Sequence, residues 1–319
     1  MRGIVSLVSP GWERLPSWRR MEFHRVARGR GVVSAAMAHP IATRDVVSSE
    51  RMLVEVRFKA SFELMTTPMT QMMWLVLQLA RGERDASRLN PSRSAGDTGH
   101  AVDVDIGGSS ALTLSPDHPV DSVSWFEVTQ SIAQWNRLSE VGDDRTLELF
   151  RAVIPDFERG DTFGLPSEAQ WEYVLRGRGK LKGAYGRGDD SAELPRFAWY
   201  AENAGGHTHP VGTREARVVD GKPFYDLEGN VWEWTSDWTG YAEPRADGTD
   251  PRSVVDETSF RTDPIVRGGS FASPATGLDY FVRRGARQHE PSPVIGVRLT
   301  RYRPVPLKDY SISPDYREI

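Results

Sequence analysis

The segment Tyr225-Asp226-Leu227-Glu228-Gly229-Asn230-Val231-Trp232-Glu233-Trp234-Thr235-Ser236-Asp237-Trp238 constrains this chain more than any other stretch. Trp232, Trp234 and Trp238 are separated by even spacings, so an extended backbone sets all three rings on one face. One tryptophan side chain buries roughly 150–250 Å², and three on one strand need a core assembled around them. Val231, Glu233 and Asp237 then face elsewhere or bind something. Gly229-Asn230 has turn chemistry, since both residue types tolerate left-handed backbone.

Upstream, three helices are predicted from their caps. Thr70 stands as an N-cap before Met72, Met73, Leu75, Val76 and Leu79 at helical spacing, with Gly82 as the stop. Ser124 and Glu127 form a capping box for a helix running through Ile132 and Trp135 toward Leu138. Ser167 and Gln170 repeat that box for a helix ending at Gly177. Leu53 to Phe58 alternates apolar and polar residues as a half-buried strand does, so order is expected to begin near Met52. Beyond Gly177 the chain is dense in glycine, proline, asparagine and aspartate, which predicts short strands and loops pinned by buried aromatics. No tandem repeat of fixed period is present. From Tyr302 onward Pro304, Pro306 and Pro314 predict an extended strap.

The chain of 319 residues contains no cysteine, which excludes disulfides and a lipidated-cysteine anchor and points to a cytoplasmic location. A hydrophobic fraction of 39%, 26% charged residues and a mean hydropathy of -0.48 describe a water-soluble globular protein with room for a sizeable core. No apolar run approaches the length needed to span a bilayer, and Ile4 to Val8 is too short for a signal-peptide core. A net charge of -4 and a pI near 6.0 give no general pull toward nucleic acid. Arg2, Arg14, Arg19, Arg20, Arg25, Arg28 and Arg30 face only Glu13 and Glu22 in the first thirty residues. With no periodic apolar face beside them, residues 1–51 are expected to form a basic extension, flexible or held by a partner. Residues 52–302 are expected to form one domain and 303–319 a proline-rich tail.

Four segments, in order, resemble the formylglycine-generating enzyme (sulfatase-modifying factor) family. They are Thr67-Pro68-Met69-Thr70-Gln71 with Asn90-Pro91-Ser92; Pro119 to Trp125; Leu165 to Tyr173; and the span from His209-Pro210-Val211-Gly212 through the tryptophan motif to Arg267-Gly268-Gly269-Ser270-Phe271 and Gly296-Val297-Arg298-Leu299. The resemblance implies an α+β fold of the C-type-lectin-like kind: small twisted antiparallel sheets, two to three main helices and extensive structured loops. Arg267 and Arg298 are expected to hold loops together through carboxylates and carbonyls.

The enzymes that name the family bind copper through two cysteines shortly after the Gly-Gly-Ser segment. On an ungapped register Ser273 and Leu278 stand in those places, and neither supplies the thiolate Cu(I) requires. Formylglycine generation by the cysteine/copper route is therefore excluded, and no copper is expected. Relatives that use non-haem iron carry a His-x-x-x-His-x-Glu pattern on an added helical domain, which this chain lacks, so iron is not expected. His207 and His209 are read as solvated loop histidines. A structural calcium ion is what the resemblance does imply, held by the Asp226 and Glu233 side chains and the Gly229 and Val231 carbonyls. Asn203 matches the start of the family's other calcium site, but the chain reaches Pro210 too soon to supply the rest.

The expected function is a non-catalytic module that binds a protein or peptide ligand through the 270–295 loop region. Its candidate contacts are Ser270, Ser273, Tyr280, Phe281, Arg283, Arg284, Arg287 and His289, an aromatic and basic mixture suited to peptides or acidic groups. The alternatives are a metal-dependent oxidoreductase of the same family and a retroelement-diversified receptor, since such receptors resemble this fold and vary this region.

Overall fold

The tryptophan motif forms the strand Trp232–Trp238 inside a five-stranded sheet. Pro264–Arg267 pairs with it antiparallel on one side and Ile295–Gly296 parallel on the other. Arg283–Gly285 and Asp45–Val46 extend the sheet beyond Pro264–Arg267. A second, antiparallel sheet joins Phe23–Val26, Phe62–Met65, Thr300–Tyr302 and Thr162–Gly164, in that order. Three two-stranded ribbons complete the β structure: Gly29–Ser34 with Leu53–Phe58, Val102–Asp105 with Ala111–Leu114, and Arg217–Val219 with Lys222–Phe224. These features come from a computed structural model, which describes residues 20–34, 45–46, 53–94, 101–106, 111–185, 190–239 and 263–304.

Four main helices pack against the sheets. They are α1 (Gln71–Ala80), α2 (Trp125–Val141), α3 (Asp144–Val153) and α4 (Glu168–Leu175). The three predicted caps are all in place. Ser124 and Ser167 accept from the backbone of Glu127 and Gln170, whose side chains reach back to the cap N–H. At Thr70 the Met73 sulfur takes that second role, accepting the cap N–H at 3.3 Å. Helix α3 goes beyond the sequence reading. Asp143 caps it through the Thr146 N–H, and Leu147, Phe150 and Val153 form its buried stripe.

Helix α1 is buried along its whole length, which its almost wholly apolar sequence requires. Trp74 meets Trp135 of α2 edge to face at 5.6 Å, and the Trp135 indole N–H donates to the Leu77 carbonyl. This cluster continues through Phe150 and Phe163 to Trp232 and Trp234. Trp234 is fully buried and donates its indole N–H to the Val123 carbonyl, so the ring enters the core with its one polar atom satisfied. Trp238 is only partly buried and lies against Trp125. A second cluster sets Trp171, Tyr173 and Val174 of α4 against Val26, Val56, Phe58 and Leu64.

That second cluster corrects the expected start of order at Met52. Residues 20–34 are not a free extension: Phe23–Val26 registers with Phe62–Met65, Gly29–Ser34 registers with Leu53–Phe58, and Met21 is fully buried. The physical reason is that Met21, Phe23, Val26 and Val33 cover apolar surface that the downstream strands and α4 leave open. Arg2, Arg14 and Arg19, and the tail carrying Pro306 and Pro314, lie outside the described residues.

Candidate functional site

The turn before the tryptophan strand is held by left-handed residues, with φ of 52° at Asp226, 76° at Gly229 and 58° at Asn230. Gly229 is required twice over: its φ favours glycine, and a Cβ there would lie 2.2 Å from the Trp199 carbonyl oxygen. The buried Asn230 side chain accepts from the His209 N–H and donates to the His209 carbonyl. One amide thus ties the turn to the loop at residues 207–212.

Asp226 is buried and accepts the Gly212 N–H at 2.6 Å. Among the described residues no cationic side chain lies within ion-pair distance of it. Burial is the main force on its carboxyl, opposed by the Gly212 N–H and by Arg298 and reinforced by the charge of Glu233, and it rises to about 6. Glu233 is placed differently. Arg298 grips it with contacts of 2.8–3.1 Å to both oxygens, and the Trp171 indole N–H donates to Oε2 at 2.7 Å. Arg298 also donates to the carbonyls of Met65 and Tyr225, so the loop-holding role expected of it is what the structure displays.

Of the four residues assigned to calcium, three keep oxygens that no cationic side chain holds among the described residues. Asp226 lacks a cationic partner, and among the described residues no donor reaches the Gly229 or Val231 carbonyl oxygen. Glu233 fits poorly, because its lone pairs are already taken by a guanidinium and an indole. Asn203 is spent within its own turn, accepting from the Tyr200 N–H and donating to the Ala198 carbonyl.

Ser273 and Leu278, which the ungapped register sets against the family's two cysteines, have different surroundings. Ser273 Oγ accepts the Ser270 N–H at 3.0 Å and lies 3.3 Å from Ser270 Oγ, and among the described residues neither hydroxyl is hydrogen-bonded to a titratable group. Leu278 is 2% exposed in an apolar cluster with Leu194, Ala198 and Tyr200.

The eight ligand candidates divide sharply. Ser270, Ser273, Tyr280, Phe281 and Arg283, expected as ligand contacts, are buried and offer a ligand no exposed face. The Tyr280 hydroxyl donates to Glu228, which also pairs with Arg217, and burial followed by the Glu228 charge holds that phenol well above its ordinary range. Phe281 lies beneath the Arg176 guanidinium, and Arg283 clamps Glu168 with two hydrogen bonds. These residues lock the loop to α4, where Glu172 joins Arg176 to Arg267. Arg284, Arg287 and His289 are exposed. Arg284 and Arg287 line an open cavity of about 400 Å³ together with Asp263, Glu290 and Ser292. His289 lies 4.9 Å from the ring of Phe126, itself 44% exposed.

His207 and His209 are not simply solvated. His209 stacks on Trp199 at 3.7 Å, and the guanidinium of Arg214 lies 3.6 Å from the centroid of that indole. Nothing in the local spacing links Trp199 to His209, because nine residues of irregular loop separate them. Among the described residues no three His, Asp or Glu side chains gather as a metal site, and no helix is long and apolar enough to cross a membrane.

The family model described as a sulfatase-modifying factor enzyme 1-like domain matches residues 26–303. The chain belongs to this family. Its N-terminal limit falls inside the strand Phe23–Val26, in keeping with the corrected start of the domain. The formylglycine-generating enzyme of Streptomyces coelicolor is 31% identical over 179 residues, which is 52% of this chain and 46% of that protein. The Bos taurus enzyme of the same name is 26% identical over 172 residues, covering 52% and 38%. The matched part therefore spans less than half the length of these relatives. Among solved structures, PvdO from Pseudomonas aeruginosa aligns with a TM-score of 0.55 at 18% identity, covering 91% of this chain and all of that one. Treponema denticola variable protein 1 aligns with a TM-score of 0.53 at 21% identity, covering 87% and 98%. At these identities the likeness is one of fold, and that fold is the α+β family fold the sequence motifs imply.

Proposed function

We propose that this family member is a binding module that uses the exposed part of the 270–295 region to hold an acidic segment of a protein or peptide. The observation that carries the reading is Leu278. A side chain at 2% exposure in an apolar cluster occupies one of the two places where the family's chemistry needs a thiolate. Further along the same segment Arg284 and Arg287 line the 400 Å³ cavity; Arg287 pairs with Glu290, and Arg284 has no ion-pair partner among the described residues. Guanidinium groups of this kind favour carboxylates through paired N–H donors.

The test is fluorescence anisotropy with a labelled glutamate-rich peptide against a lysine-rich and a neutral one of equal length. The acidic peptide alone binds, its affinity falls with salt, and Arg284→Glu with Arg287→Glu weakens it at least tenfold. Equal affinity for the three peptides, or no effect of the double variant, overturns the reading.

Calcium belongs to the same proposal as a structural support. Asp226 and the Gly229 and Val231 carbonyls would hold the ion, with Glu233 committed to Arg298 instead. Bound there, a divalent cation neutralises the buried charge of Asp226 and stiffens the turn that leads Trp232 and Trp234 into the core. Asp226→Asn is the diagnostic variant for the ion, because Glu233 is needed by Arg298 whether or not calcium binds.

A further inference from the structure

A second cavity, of about 260 Å³, opens between α1 and α2, away from the five buried residues of the 270–295 loop. Gln78 lines it and is 2% exposed. Its Nε2 donates to Ser131 Oγ at 3.1 Å, but its Oε1 has no partner among the described residues. A buried amide oxygen without a donor is uncommon in folded proteins, and on a residue that lines a cavity it marks a place where a ligand can complete the hydrogen bond.

The neighbours narrow what that ligand is. Arg81 donates one N–H to Ser131 Oγ at 2.8 Å and makes only a loose 3.7 Å contact with Glu83, so guanidinium N–H groups remain for an acceptor. Trp74 and Phe126 supply apolar walls. A carboxylate offers Gln78 no donor and meets Glu83, whereas an ammonium offers Arg81 no acceptor and meets its charge. A carboxamide supplies both a donor and an acceptor from one planar, uncharged group. The cavity is slightly smaller than the roughly 300 Å³ lower bound of drug-sized sites, a size suited to one side chain or amino acid.

We infer that this cavity binds a carboxamide, carried by a glutamine or asparagine side chain of a peptide or by the free amino acid. The site is independent of the acidic-ligand reading, since its ligand group is uncharged and none of Arg284, Arg287 and His289 lines it.

Saturation-transfer NMR with pentanamide, pentanoate and pentylamine tests the head group on a constant stem. Pentanamide binds at least tenfold more tightly than the other two. Gln78→Met, close in volume, weakens it tenfold or more while the melting temperature stays level or rises, because an unpaired polar atom has been removed. Arg284→Glu with Arg287→Glu leaves pentanamide binding unchanged, which separates this site from the proposed peptide surface. Free glutamine and a Gly-Gly-Gln-Gly-Gly peptide, set against its methionine counterpart, then distinguish the two sources of the amide. Should Gln78→Met not fold, Arg81→Met is read in its place. No binding, equal binding of the three head groups, or unchanged affinity in the variant overturns the inference.

Discussion

Replacing Asp226 by Asn should make the protein more stable in a chelator, although it removes a residue assigned to a binding site. The carboxyl is buried, and its protonation midpoint rises from 3.8 to about 6, with burial as the main cause. An acid raised on folding contributes its full stability below the unfolded value and loses it as pH climbs through the folded value. Below pH 3.8 both states hold the proton. Between there and pH 6 the unfolded chain releases it first, so stability falls as pH rises and then levels off. The gap from 3.8 to about 6, at about 1.36 kcal/mol per pH unit, amounts to ~3 kcal/mol. Asparagine keeps the shape and can still accept the Gly212 N–H, without the buried charge. Differential scanning fluorimetry in chelator at pH 7.5 should therefore place Asp226→Asn about 6 °C above wild type, taking roughly 2 °C per kcal/mol for a chain of this size. At pH 5 about half of the difference should remain, since the wild-type carboxyl is then mostly protonated. Asp121, also raised to about 6 chiefly by burial, is common to both proteins and cancels in the comparison. Added calcium should raise the wild-type midpoint with concentration and move Asp226→Asn much less, because the amide offers a cation no charge. A variant no more stable than wild type at pH 7.5 in chelator, or a difference that does not narrow at pH 5, refutes the reasoning.

Glu233→Gln should lose about 3–5 kcal/mol by urea denaturation with calcium or chelator alike, because it leaves the buried Arg298 guanidinium without its counter-charge. Gly229→Ala should fail to accumulate as folded protein, or lose more than about 2 kcal/mol, since its Cβ meets the Trp199 carbonyl at 2.2 Å; near-UV circular dichroism reports the loss of tryptophan packing. Incubation with a sulfatase-type cysteine peptide, oxygen and added copper should give no aldehyde above a boiled control by mass spectrometry, because Ser273 and Leu278 supply no thiolate.

What could be read from the sequence was whatever depends on near neighbours. The capping boxes at Ser124 and Ser167 are three-residue devices, and both form as read. The tryptophan spacing gave the buried strand, but only half of its logic. Glu233 and Asp237 are as buried as the rings, because Arg298 and the Glu168 N–H on distant segments receive them. The strand Phe23–Val26 escaped notice because its buried residues stand three apart instead of alternating, and its partner lies some forty residues downstream. Arg283 and Tyr280 read as ligand contacts by composition. Only the fold reveals that Glu168 and Glu228 wait for them inside. Gln78 gave no signal at all, since a helix interior position says nothing of whether both ends of an amide find partners.

The four-stranded sheet sets a clock on biosynthesis. Its inner strand Thr300–Tyr302 bridges Phe62–Met65 and Thr162–Gly164, and Arg298, just before it, reaches back to Met65 and Glu233. While the ribosome still holds that stretch, the earlier strands have a gap where the inner one belongs, and the carboxylate of Glu233 lacks its counter-ion. The nascent chain must therefore wait, partly assembled, for residue 302 to emerge. Such late closure of distant contacts is slow and leaves strand edges open to other chains. Expression yield should accordingly respond more to chaperone supply and growth temperature than the stability of the finished fold would suggest.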